Sequence, residues 1–182
     1  KIWYSFPVGE SNTVFVGPLI ENYYMHGTTP SIYKPVLKAF TLGGNGAAYG
    51  ASTDTGAGWS YKADNGFAVS SNIGTKSHST QKDDDGNYIE SGLLTDETKT
   101  SWATQIGLTK EQYAVSAMLN LKYNGWSDSY FTAGSAQTGN TTNYGLRAWW
   151  RPLESGTATP EVSLGYDYTT IADVADSVDS TD

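Results

Sequence analysis

Cysteine is absent from the 182-residue chain, which excludes disulfide staples and thiolate metal sites. Cations are scarce: eleven Lys and Arg stand against nineteen Asp and Glu, for a formal charge of −8. Nucleic acid is therefore a poor partner, because its binding needs clustered Lys and Arg to displace phosphate counterions. Long apolar runs are missing as well. Nothing approaches the ~18 consecutive apolar residues of a transmembrane helix, so any membrane crossing would fall to strands. There is no initiator Met and no signal peptide, and the chain starts at Lys1 inside a strand-like run (Ile2, Trp3, Tyr4, Ser5, Phe6), which reads as a mature or incomplete piece of something longer. Only two histidines occur, His26 and His78, both in predicted loops and far apart, and neither is expected to bind a metal or act in catalysis.

What is present is aromatic and small. Hydrophobic residues make up only 38% of the chain, yet Tyr, Trp and Phe alone supply 13%, alongside twenty Gly. Aromatic and β-branched side chains suit a pleated surface, so the composition favours many short strands over helices. The clearest strand is 112–123, where Tyr113, Val115, Ala117, Leu119, Leu121 and Tyr123 alternate with Ala114, Ser116, Met118, Asn120 and Lys122. A repeat of two over this length excludes helical spacing. The segment is long for a soluble strand and matches the ~9–11 residues of a tilted transmembrane one. The same grammar returns at 143–151 and 161–168, and more weakly at 101–108, 57–63 and 66–73.

Aromatic residues sit at or near the limits of these apolar faces: Trp59, Trp102, Tyr113, Tyr123, Tyr144, Trp150 and Tyr168. Interfacial girdles of a transmembrane barrel require that placement, whereas a sandwich more often centres its rings. Connections are of two kinds. Asp64-Asn65-Gly66 carries a hairpin signal and 109–111 is short, while 20–42, 76–99 and 170–182 are long, polar loops. The expected fold is all-β, an antiparallel transmembrane β-barrel and a fragment of a larger one, with residues 1–182 forming part of one domain. Further expectations are an opening hairpin (3–8 and 13–16), strands at 47–51 and 129–134, roughly nine or ten strands in all, and a solvated acidic tail without strands.

Ala148-Trp149-Trp150-Arg151-Pro152, followed by Glu154-Ser155-Gly156-Thr157-Ala158-Thr159-Pro160 and the strand 162–166, resembles cyanobacterial outer-membrane porins of the carbohydrate-selective or iron-uptake type. Tyr4 to Gly9, Val14 to Pro18 and Gly43 to Gly50 are similar pieces. The resemblance implies a passive channel in the outer membrane for small hydrophilic solutes and inorganic ions, without cofactor and without enzymatic activity. It also implies a homo-oligomer, for which a trimer is one form. The surface-layer-homology domain that anchors such porins has no counterpart in this chain.

Alternation assigns Lys62, Gln105, Asn120, Lys122, Arg147, Trp149, Arg151, Glu161 and Asp167 to the lumen. Arg147 and Arg151 are the only arginines, and they read either as a basic patch guiding solutes or, more blandly, as wall cations paired with Glu161 or Asp167 of the next strand. Asp83, Asp84, Asp85 and Asn87 lack the spacing of a calcium loop and read as solvated. Two other classes share this composition: a secreted jelly-roll glycoside hydrolase, for which Glu161 is the one acid worth nominating, and a soluble β-rich carbohydrate-binding module.

Overall fold

A computed structural model describes residues 1–29, 55–76, 99–123, 140–151, 159–171 and 180–181. They form nine strands: β1 (Ile2–Val8), β2 (Asn12–Leu19), β3 (Gly56–Lys62), β4 (Phe67–Lys76), β5 (Lys99–Thr109), β6 (Tyr113–Tyr123), β7 (Thr141–Trp150), β8 (Val162–Ile171) and the two-residue β9 (Ser180–Thr181). Every strand pairs antiparallel with its neighbour in sequence, giving one sheet in the order β1 to β9. The sheet is open, with β1 and β9 at its edges. The all-β, antiparallel expectation is met, whereas barrel closure is not seen. β9 corrects the reading of a tail without strands. Expected strands at 47–51 and 129–134, the Asp83 to Asp85 run and His78 lie outside the described residues.

Hairpin chemistry builds this meander. Gly66 has φ of 87°, a left-handed value open to glycine at little cost, and the Asn65 side-chain oxygen accepts the Phe67 N–H at 3.0 Å. A Cβ on Gly66 would collide with the Thr109 carbonyl, so the β3–β4 turn sits tightly against the end of β5. Short turns also join β1 to β2 and β5 to β6 at this same end. The links from β2 to β3, β4 to β5 and β6 to β7 are all long and leave from the other end.

Register decides which residues share a face. One face carries Tyr61, Val69, Ile106, Ala117, Leu146 and Tyr166 in one row across β3 to β8. The next row is Phe67, Leu108, Val115, Ala148 and Leu164. Aromatics flank these rows. Tyr113 pairs with Trp150 on the turn side, and Trp59, Tyr144 and Tyr168 share a single row on the other, with Trp102 one row beyond. The Tyr144 and Tyr168 rings stack at 6.3 Å.

The polarity of the two faces is inverted relative to a water-soluble sheet. Among the described residues, the buried apolar set comprises seven side chains, three of them alanine, whereas sixteen polar or charged side chains are buried. Twenty large hydrophobic residues are exposed, and they include Ile106, Val115, Leu119, Leu146 and Leu164. Removing apolar surface from water is worth roughly 25 cal/mol per Å², so a sheet that exposes its aliphatic rows and buries Asn, Gln and Thr gains little in water.

Candidate functional site: the polar face

The face opposite the aliphatic rows holds the candidate site. On β5 to β8 its centre is a hydrogen-bonded polar ladder. Ser101 donates to the Asn120 side-chain oxygen at 2.9 Å, Asn143 donates to the Asn120 carbonyl at 3.0 Å, and Thr169 donates to the Asn143 side-chain oxygen at 2.8 Å. Such connections satisfy buried amides that would otherwise cost about 1–3 kcal/mol each. Lys122 lies on the same face, buried, one register step from the ladder.

Two register steps from the ladder, Arg147 meets Asp167. The guanidinium contacts one carboxylate oxygen at 2.5 Å through Nη1 and donates to the other at 2.7 Å through Nη2. Nη1 also donates to the Leu146 and Tyr166 carbonyls at 3.0 and 3.2 Å. The side chains are 1% and 3% exposed, so the two charges are desolvated together. Arg is suited to this role because its planar fork matches a carboxylate at two points. The geometry selects the bland reading for Arg147: its charge is neutralised locally by Asp167.

Arg151 behaves differently. It lies just beyond the end of β7, donates to the Glu111 carbonyl at 3.2 Å, and stands 5.9 Å from the centre of the Trp149 ring. Trp149 is buried on the polar face as expected. Glu161 precedes β8, half-buried and outside the strand, which removes it from the regular alternation used to assign it. Lys62 falls on the polar face by register, opposite Ala68, but is exposed at the end of β3.

Gln105, Asn120, Lys122, Arg147, Trp149 and Asp167 are thus gathered on one buried face, while Lys62, Arg151 and Glu161 lie at its margins. Sequence reasoning missed the segment after β2. Residues 20–29, which include one 3-10 turn at Asn22–Met25, fold over the polar face of β3 to β5. Ile20 and Met25 are completely buried, and the Thr28 main chain is held at both ends by Gln105: Thr28 N–H donates to Oε1 at 2.8 Å and Nε2 donates to the Thr28 carbonyl at 2.9 Å. Ser70 Oγ accepts the Gly27 N–H at 3.3 Å and lies 3.1 Å from His26 Nδ1. The available signal was the run of small residues at alternate positions, Gly56, Gly58, Ala68, Ser70 and Gly107, which leaves room on one face.

Thr28 Oγ1, Ser116 Oγ and Trp149 Nε1 are buried on this face without a hydrogen-bond partner. A depression of about 600 Å³ is on the opposite face, where Ile106, Leu108, Val115, Leu146 and Leu164 surround the smaller Ala117 and Ala148. Its aliphatic walls suit no polar chemistry. No group of three His, Cys, Asp or Glu side chains is placed to hold a metal among the described residues.

No family model, no curated protein and no solved structure matches the chain. The functional reading therefore rests on the sequence and the geometry.

Proposed function

We propose that this sheet is part of the wall of an outer-membrane β-barrel that conducts small hydrophilic solutes and inorganic ions by passive diffusion, as the resemblance to cyanobacterial porins suggests. The inverted sheet carries the proposal: aliphatic rows outward between aromatic rows, with Asn, Gln, Thr, Lys and an Arg–Asp pair on the buried face. Lipid is the medium in which such an exterior is favourable, because a transmembrane barrel turns an apolar band flanked by aromatic girdles toward hydrocarbon. Hydroxyls on the outer face fit the same medium by satisfying one another. Ser71 Oγ lies 3.1 Å from Thr104 Oγ1 and accepts the Trp102 indole N–H at 2.9 Å.

Dimensions agree. Tyr113 and Tyr123 bracket the outer face of β6, and ten residues at ~3.4 Å each, tilted by ~40°, rise ~26 Å, against an apolar band ~25 Å tall. Hydrocarbon does not tolerate an open sheet edge, so in this reading further strands complete the wall beyond β1 and β9, and a homo-oligomer such as a trimer is the proposed assembly.

The test has two arms. Reconstituted in a planar bilayer, the full-length protein is expected to show ohmic conductance. In liposomes of brominated lipid, variants retaining Trp102 or Trp150 as their one tryptophan are expected to be quenched, and one retaining Trp149 spared. A protein that is fully dispersed without detergent and gives no conductance refutes the reading.

A further inference from the structure

The segment after β2 is the least expected feature of the polar face, and its placement is overdetermined. Three adjacent strands are cleared of bulk beneath it. Gly56 and Gly58 on β3, Ala68 and Ser70 on β4 and Gly107 on β5 all belong to the polar face by register. A Cβ on Gly58 would stand 3.2 Å from the Met25 sulfur, and one on Gly27 would stand 2.7 Å from the Ala68 Cβ. A Cβ on Gly107 would collide with the Thr28 hydroxyl and lie 2.9 Å from the Thr28 Cβ. Gln105 is buried in this seat, and its amide answers both the donor and the acceptor of one residue, Thr28.

We propose that Gln105 is a positioning residue that latches residues 20–29 onto the inner wall and so sets how much of the passage is open. This rests on the pore reading, since a strap on the polar face occupies a lumen only if that face lines one. The physical case is the pairing itself. Both Gln105 and Thr28 are essentially fully buried, and without the amide the Thr28 N–H and carbonyl would be left buried and unpaired. The strap would then leave the wall to recover hydrogen bonds elsewhere. Ser70, with its contacts to Gly27 and His26, is a secondary hold.

The absence of cysteine makes a covalent test clean. Gln105→Leu keeps the bulk and removes both hydrogen bonds. It is expected to raise unit conductance in a planar bilayer and the size of poly(ethylene glycol) that enters the channel, with Ser70→Ala moving both in the same direction by less. Adding Thr28→Cys and Gly107→Cys to Gln105→Leu places two thiols near disulfide reach, which needs Cβ atoms about 3.5–4.5 Å apart, so a small outward shift of the strap suffices. Oxidation by diamide should restore the wild-type conductance, and dithiothreitol should raise it again. Failure of the disulfide to form in the folded protein, or a Gln105→Leu conductance equal to wild type in a protein that conducts, overturns the latch alone. A wild-type protein that forms no channel, while the cysteine pair still closes, overturns the pore reading and the latch's role with it but leaves the strap's placement standing.

Discussion

Arginine placed along the outer face of β6 separates lipid from water by the shape of its cost. Ala117 lies four residues from Tyr113 and six from Tyr123, which at ~3.4 Å per residue and a tilt of ~40° puts it ~3 Å from the middle of the apolar band, in the register row of Ile106 and Leu146. Val115 is two residues from Tyr113, about 5 Å inside the girdle on the same arithmetic. Val115 is exposed, Ala117 is half-buried, and neither is in the polar ladder. In water, a change to arginine on such a face is worth within about ±0.5 kcal/mol. In a bilayer, arginine costs about 2–4 kcal/mol at the midplane and about 0–1 near the interface. Ala117→Arg should therefore lose about 2–4 kcal/mol, Val115→Arg less, and Tyr113→Arg at the girdle least of all for its charge. Urea titrations of protein folded into liposomes measure the series. Three equal and small losses would refute a lipid-facing assignment. Asn120→Arg is no neutral control, because Asn120 is fully buried and bonded to Ser101 and Asn143.

Other consequences follow from the same geometry. Asp167→Asn leaves a buried guanidinium without its counter-charge and should destabilise the fold by about 3–5 kcal/mol, while Arg147→Met with Asp167→Leu should cost much less; a double-mutant cycle reads the coupling. Since Asp167 cancels Arg147, ion selectivity should depend on the charges at the margin of the polar face. Arg151→Gln should shift the reversal potential in a salt gradient toward cation selectivity, and the Arg147–Asp167 double replacement should leave it nearly unchanged. Gly66→Val combines a left-handed φ with a collision against Thr109 and should cost more than about 1 kcal/mol in the same urea titration.

The strands were legible because period-two alternation is a local property, and β5 to β8 fall within a few residues of the expected limits. The Asn65-Gly66 turn was legible for a similar reason: few dipeptides tolerate its backbone. Alternation also sorted Gln105, Asn120, Lys122, Arg147, Trp149 and Asp167 onto one face, since adjacent strands in a meander keep that sorting. Glu161 and Arg151 stand just past the strand ends, where the period no longer fixes a side chain's direction.

Sequence by itself thus determined the all-β class, the two faces and the hairpin order, all of which depend on neighbours two or three residues apart. Three matters were decided only by tertiary structure. Period two is the same whether the apolar face turns inward or outward, and only the burial of the polar side chains tells which. Arg147 had two candidate partners, and the register of β7 on β8 chose Asp167. The strap's seat depends on Gly56, Ala68 and Gly107, which are scattered along the chain. Only the pairing of three strands makes them neighbours, because the shape of a surface is set by contacts between segments and not by the order of residues within one.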